Sequence, residues 1–354
     1  MKHIWLDCDP GHDDATAILL AIHSPNVKLL GVSTVHGNTD AQNTYLNAQR
    51  CLYAFHAPED VHAYAGASTP LLRPAKHDPE IHGIDGLGGV EGLPTAEHPA
   101  IRARIESANA TGHYSAIEAI AEAVRRVGIR NEQKVTLISS GPMTNIALFV
   151  SVYPGLLEYI EEIVFMGGAV GLGNRSAVAE YNILCDPEAA QIVLNAPVKK
   201  TMIPINVTHT AIVTHAIHCA LLSPDNPIRE PPTLPPADTK LRHTLSTLIS
   251  YFAKSYKSTF GFTDGPPLHD ALTIAYVSAP DMFTCKRQHI DVELNGMHTA
   301  GETVVDIWNY RQCDDSWGRD GKNCQVAEVV DVPRFFNLFL ECLLQCDKVT
   351  PLNK

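Results

Sequence analysis

Four aspartates crowd into eight residues of the stretch "LDCDPGHDDA", at Asp7, Asp9, Asp13 and Asp14, on either side of a Pro10-Gly11 turn. Carboxylates packed this closely repel one another, which raises their pKa values unless a cation holds them together. One or two could cap a helix, whose positive dipole end favours a carboxylate by about 0.3 to 1 kcal/mol. Capping does not account for four. A hard divalent cation such as Ca²⁺, which takes about 6 to 8 oxygen ligands, would account for them; the rival reading is a solvated acidic turn. The stretch is not an EF-hand loop, because the twelfth position counted from Asp7 is Ile18 and not a bidentate glutamate.

One loop cannot fill such a coordination sphere, so further oxygen ligands are expected elsewhere. In "ISSGPMTN" the carbonyl of Ser139 or Ser140 is a candidate, and in "GPPLHDALTIA" Asp270 stands at a loop-to-helix boundary, as a ligand or as an ordinary N-cap. Other polar residues follow other apolar runs: Asn38 in "VHGNTD", Asn174 in "MGGAVGLGN", Glu180 and Asn182 in "AEYNILCDPEAA". A ring of such groups around a cation suits a ligand with several hydroxyls.

These residues need elements that position them. Apolar strand-like runs ("HIWLDC", "VKLLGVSTV", "KVTLISS", "IEEIVFMGG", "KKTMIPIN") alternate with helix-periodic stretches, among them about 13–23, 40–55, "YSAIEAIAEAVRRVG" and "DPEAAQIVLN". That alternation predicts an α/β fold with a largely parallel sheet and crossover helices. In such a sheet ligands sit beyond the carboxyl ends of the strands, where Asp7 and Asp9 fall. Two segments read as loops: glycine-rich 82–92 and proline-rich 223–238. The C-terminal part offers a long amphipathic helix over about 241–261, strands near "HIDVEL", "ETVVDIW" and "QVAEVVDV", and a final helix over about 333–345. With no repeat and no clear linker, the expectation is one domain over 1–354 carrying a proline-rich insertion at about 223–238.

The chain has 354 residues, 45% of them hydrophobic, enough for a sizeable core. With 27 Lys+Arg against 39 Asp+Glu the formal charge is -12, and no basic cluster exceeds a pair such as Arg125-Arg126. Nucleic acid and anionic membrane surfaces are therefore not expected partners. Without a leader-like start, or an apolar run of about 18 residues, the expected location is the cytoplasm. Nine scattered cysteines without a CxxC pair predict free thiols instead of disulfides or a zinc site.

The motifs in order resemble those of the inosine-uridine preferring nucleoside hydrolases, which split ribonucleosides into ribose and base. The carriers are "DCDPGHDDA", "HGN", "SSGPMTNIA", "MGGAVGLGN", "AEYNILCDPEAA", "NVTHTA" and "LHDA", from residue 7 to about 275. Within that family the chain looks nearest to fungal-type uridine nucleosidases. The resemblance implies the Rossmann-like nucleoside hydrolase fold, an open, mostly parallel but mixed sheet flanked by helices, and assembly as a homodimer or homotetramer. It implies Ca²⁺ bound by Asp9, Asp14, Asp270 and the carbonyl of Ser140. Asp9 would be the base that deprotonates the attacking water, with Asp7 supporting the ligands from behind. Asp13, Asn38, Met166, Asn174, Glu180 and Asn182 match ribose-contacting positions, although Met166 also fits core packing.

His269 in "LHDA" matches a leaving-group acid, and His82 in "EIHGIDG" matches a histidine near the base, on a loop whose glycines suit closure over substrate. A pyrimidine has no N7 to protonate, so His269 could instead hydrogen-bond the base. His12 and His36 read as structural. The chain departs from the family at Ala271, where a proline usually follows "HD". The implied reaction is hydrolysis of the N-glycosidic bond, uridine favoured, with cytidine, inosine and nicotinamide riboside as other candidates, in cytoplasmic nucleoside salvage. Two rivals are a non-catalytic, calcium-dependent nucleoside or ribose binder, and a haloacid-dehalogenase-type phosphatase. The second would need a later "GDxxxD" motif, which the chain lacks.

Overall fold

The computed structural model describes residues 1–112, 115–225, 230 and 232–354. The apolar runs become strands Lys2–Cys8 (β1), Val27–Thr34 (β2), Ala63–Ala65 (β3), Val135–Ser139 (β4), Ile160–Met166 (β5), Lys200–Ile203 (β6), Phe283–Val292 (β7), Thr303–Asp306 (β8) and Cys324–Val330 (β9). They form one sheet in the order β3-β2-β1-β4-β5-β6-β9-β7-β8. From β3 to β9 every neighbouring pair is parallel; β7 runs antiparallel to β9, and β8 antiparallel to β7. The sheet is therefore open, mostly parallel and mixed.

A parallel strand in the middle of such a sheet is covered on both faces and reads as a nearly continuous apolar run. In β1 the alternation of side chains sends Ile4 and Leu6 into one core and Trp5 into the other. The first core is closed by helices His12–His23, Ala271–Ser278 and Val332–Val349, through Ile18, Leu272 and Phe339. The second is closed by Ala116–Val124, Thr144–Val152 and Pro187–Asn195, through Ile120, Phe149 and Val193.

Local chemistry sets the helix ends. Asp40 accepts from the backbone N–H groups of Gln42 and Asn43, and Asp186 from that of Ala189. Gly261, at φ 76, closes the long helix Lys240–Phe260 in the left-handed conformation. The predicted helix beginning at Tyr114 starts at Ala116 and widens into a π turn at Arg125–Ile129; Tyr114 itself lies outside the described residues. Of the proline-rich 223–238 stretch, 226–229 and 231 also lie outside them. Its base is closed by the Asp238 N–H donating to Leu222 O at 3.0 Å and by the Ser223 hydroxyl donating to Asp238 at 2.8 Å.

The short edge strand β3 and helices Pro99–Ala110 and His215–Leu222 are absent from the sequence expectations. Among the described residues no helix is long and apolar enough to cross a membrane.

His218 links helix His215–Leu222 to the long helix: it is 8% exposed, and its Nε2 lies 2.7 Å from the Ser246 hydroxyl. Burial, with help from the neighbouring His215 charge, pushes its pKa down to about 4. An unfolded histidine takes up a proton near pH 6.5, so between that value and about 4 the unfolded state binds the extra proton and stability falls with pH. In urea titrations from pH 7 to pH 5, the wild type should lose about 2 kcal/mol more than His218→Asn, at about 1.4 kcal/mol per pH unit below 6.5. Equal losses would contradict this.

Candidate active site

In the order β3-β2-β1-β4-β5-β6 the chain winds one way from β1 to β3 and the other way from β4 onward, so a crevice opens between the carboxyl ends of β1 and β4. The register places Asp7 beside Ser33 on one side and Ser139 on the other. Asp9, Asp13 and Asp14 follow β1, Asn38 follows β2, Ser140 follows β4, and Asn174, Glu180 and Asn182 follow β5. Residues far apart in sequence thus meet along one edge because parallel strands end there together.

Asp7 is fully buried, and its Oδ1 accepts from the Ser33 hydroxyl and, at 2.8 Å, from Asn145 Nδ2. Burial raises it to about 7 even with those donors. Asp9 is 1% exposed; its Oδ2 accepts the Asn38 N–H at 2.8 Å, while its Oδ1 is buried without a partner among the described residues. Two glycines clear the space for that carboxylate. A Cβ on Gly37 would lie 2.0 Å from Oδ2, and one on Gly141 would lie 2.3 Å from Oδ1. Asp14 accepts three times, from the Gly11 N–H at 3.0 Å, Asn38 Nδ2 at 3.1 Å and the Ser140 hydroxyl at 2.8 Å.

Asp270 stands at the first position before helix Ala271–Ser278 but makes no capping bond. Its carboxylate meets those of Asp13 and Asp14, the three offering ligand oxygens within 4.8 Å of one another. Burial first, and the neighbouring carboxylates second, push Asp9, Asp13 and Asp270 upward; burial raises Asp14 too. The trio differs from the expected ligand set, since Asp13 joins Asp14 and Asp270 while Asp9 sits beside them.

The donor chemistry fits a hard divalent cation. Carboxylate oxygens converge, one buried Asp9 oxygen has no partner, and the Ser140 carbonyl, which accepts from Asn182 Nδ2 at 2.9 Å, keeps a second lone pair.

Above this cluster opens a cavity. Ten of the residues picked from the sequence line it: Asp13, Asn38, His82, Ser140, Met166, Asn174, Glu180, Asn182, His269 and Asp270. Asp7, Asp9 and Asp14 lie beneath them. One wall is polar. Glu180 accepts from the N–H groups of Asn182, Ile183 and Gly168 at 2.9, 3.2 and 2.9 Å, yet burial still lifts it to about 7. Asn182 Nδ2 also reaches Met166 O at 3.1 Å, and Asn174 Oδ1 is buried without a partner among the described residues.

The opposite wall is aromatic. Tyr256 and Phe260 reach it from the long helix, and Ile81 and His82 from the turn Pro79–His82. His82 Nδ1 lies 3.3 Å from the His12 N–H, and His12 in turn stacks on Tyr251 and Phe252. His12 is therefore a support for His82, as a structural histidine should be. His36, likewise, reaches Thr144 at 3.1 Å and ties β2 to helix Thr144–Val152. His269 lies between the hydroxyls of Thr208, 2.7 Å from Nδ1, and Tyr256, 2.6 Å from Nε2. Burial holds both His82 and His269 well below the usual histidine value.

The model of the family described as inosine-uridine preferring nucleoside hydrolase matches residues 4–337. The chain belongs to that family. The hydrolase is 35% identical to a probable ribonucleoside hydrolase of Dictyostelium discoideum, over 97% of this chain and 94% of that one. It is also 35% identical to the pyrimidine-specific ribonucleoside hydrolase RihA of Shewanella woodyi, over 97% and 98%. Among solved structures, the purine-preferring ribonucleoside hydrolase from Gardnerella vaginalis superposes with a TM-score of 0.81 at 29% identity, covering 98% of this chain and 99% of that one. The protein is thus an N-ribohydrolase on the nucleoside hydrolase fold.

Several cavity residues of this hydrolase have no counterpart in the motif reading: Asp78, Ile81, Arg175, Tyr181, Tyr256 and Phe260. Phe252, Tyr256 and Phe260 do carry a signal, a four-residue spacing down one helix face. Asp78 and Arg175 carry none, because each sits in an irregular loop and gains meaning from the other. Arg175 forms an ion pair with Asp78, and its guanidinium lies 5.5 Å from the Phe260 ring centroid, so it ties the loop after β5 to the loop before Pro79 at the rim. None of the described residues of 223–238 lines the cavity.

Removing the tie with Arg175→Met should raise KM for a cleaved nucleoside by about tenfold, the loss of about 1.4 kcal/mol of loop ordering, while kcat stays within about twofold. An unchanged KM would show that the pair does not order the rim.

Proposed function

We propose that this nucleoside hydrolase uses Ca²⁺ held by Asp9, Asp14, Asp270 and the Ser140 carbonyl, with Asp13 alongside, and that uridine is among its best substrates. The observation that carries this reading is the buried aspartate cluster under a cavity with one polar and one aromatic wall. A nucleoside has the same two halves. Its ribose would face Asp13, Asn38, Asn174, Glu180 and Asn182, and its base would face His82, Tyr256, Phe260 and His269. The name of the pyrimidine-specific Shewanella woodyi relative supports a pyrimidine base.

Bound in the cluster, Ca²⁺ supplies Lewis acidity that lowers the pKa of water. Asp9 takes the proton from the attacking water: one oxygen is fixed by the Asn38 N–H and the other has no protein partner. Asp7, behind it, keeps the strand end in place through Ser33 and Asn145. As the C1'–N bond lengthens, positive charge spreads over the ribose ring, and the carboxylates of Asp13 and Glu180 stabilise it. Met166 packs below the sugar. The departing base carries the electron pair of the broken bond and takes up a proton from solvent on release, while Asp9 returns its proton to solvent; the imidazole of His269 and the Tyr256 hydroxyl meet the base side. The products are ribose and free base, feeding nucleoside salvage in the cytoplasm, and residues 1–354 act as one catalytic domain.

Purified protein offered uridine, cytidine, inosine, adenosine and nicotinamide riboside should release ribose, with uridine among the fastest. A chelator should abolish release and added Ca²⁺ restore it. Binding of nucleoside without release of ribose would overturn the enzyme reading, and full activity after chelation would overturn the cation.

Asp9→Asn should lower kcat by at least about a hundredfold, the range for loss of a positioned base, with thermal unfolding shifted by only a few degrees. Turnover near that of the wild type would remove Asp9 as the base.

A further inference from the structure

Thr208, on the short helix Ile205–Thr208 that follows β6, is fully buried and outside the cavity lining. Threonines elsewhere in this chain turn their hydroxyls onto a carbonyl of the preceding turn: Thr16 onto Asp13, Thr44 onto Ala41, Thr210 onto Val207 and Thr273 onto Asp270. Thr208 does not. Among the described residues its hydroxyl has a single hydrogen-bond partner, Nδ1 of His269 at 2.7 Å.

An imidazole with one N–H and one lone pair allows two arrangements between these hydroxyls, and a ring carrying hydrogen on both nitrogens would, like the first of them, leave the Thr208 hydrogen without an acceptor. If Nδ1 carried the hydrogen, it would donate to Thr208, and the buried Thr208 hydrogen would have no acceptor. The Tyr256 hydroxyl would then donate to Nε2 and have nothing left to give. If Nε2 carries it, Thr208 donates to Nδ1, Nε2 donates to the Tyr256 oxygen 2.6 Å away, and the Thr208 hydrogen, away from the cavity, has its acceptor. The Tyr256 hydrogen is then the one left over, on a residue that lines the cavity.

We infer that Thr208 is a positioning residue: it fixes His269 in the Nε2–H form and so commits the Tyr256 hydroxyl to donate toward the departing base. This builds on the ribohydrolase reading above. The chain of donors runs from Thr208 through His269 and Tyr256 to the substrate. No proton needs to leave the imidazole, because the base leaves with an electron pair that one donated hydrogen bond stabilises.

The test uses the full-length, Ca²⁺-loaded protein as wild type, Thr208→Val and Thr208→Ser. Two substrates separate the roles: uridine, whose base leaves poorly, and p-nitrophenyl β-ribofuranoside, whose phenolate needs little help. Thr208→Val should lower kcat on uridine by at least about tenfold, as loss of one aimed donor does elsewhere, with kcat on the nitrophenyl riboside within about twofold. Thr208→Ser should restore uridine turnover. Equal losses on both substrates would reduce Thr208 to packing, and no loss on uridine, or a serine variant as slow as valine, would equally overturn the proposal.

Nitrogen-15 spectra of histidine-labelled protein, with the His269 signals assigned through their absence in His269→Gln, read the tautomer without substrate. Protonation at Nε2 in the wild type is expected, and protonation at Nδ1 would overturn the proposal even if turnover behaves as expected. Should neither substrate be cleaved by the wild type, the ribohydrolase reading fails, and the spectra still decide the tautomer.

Discussion

Mutual repulsion among buried carboxylates is the constraint around which this hydrolase is arranged. Asp9, Asp13, Asp14 and Asp270 are at most 5% exposed, and Asp9, Asp13 and Asp14 each raise the proton affinity of Asp270. Such a group exists as an assembly of charges only with a cation among it, or as a set of shared protons without one. The surrounding donors, Asn38, Ser140 and the N–H groups of the first helix turn, orient the carboxylates but do not neutralise them. They fix where the oxygens point, which a coordination sphere requires, and leave the charge uncompensated.

The parallel sheet makes that orientation cheap to specify. Because β1, β2, β4 and β5 run the same way, the first residue after each falls on one edge, and a short polar motif behind each apolar run is enough to build a wall of the site. The glycines of "HGN" and "SSG" gain a physical reason here: any side chain at Gly37 or Gly141 would collide with the Asp9 carboxylate. These are packing constraints around a single side chain, enforced from two strands.

Legibility in the sequence follows the range of the interactions. Strands β1, β2, β4, β5 and β6 and their crossover helices were readable because each is a local pattern of apolar spacing, and the aspartate cluster because like charges at short spacing demand an explanation. The position of β9 between β6 and β7 was not, since pairing order at the end of a mixed sheet is fixed by long-range packing and not by any spacing in the strand itself. The same holds in the site. Asn38, Glu180 and Asn182 follow strand ends and could be picked out, whereas the Asp78–Arg175 pair joins two irregular loops 97 residues apart and has no local signature. His12 and His82, 70 residues apart, likewise explain each other only once they touch.

This division has a consequence for specificity. The polar wall is built from strand ends and backbone N–H groups, so altering it disturbs the sheet edge or the aspartate cluster. The aromatic wall hangs on one face of the helix Lys240–Phe260 and on loops tied by the Arg175–Asp78 ion pair. Tyr256 and Phe260 stand on the helix surface, and exchanging either leaves the backbone hydrogen bonds and the β1 edge intact. Relatives sharing this fold are named for pyrimidine and for purine preference alike. A fold that builds its polar wall from the sheet edge and its aromatic wall from one replaceable helix face can change the aromatic wall without rebuilding the aspartate cluster.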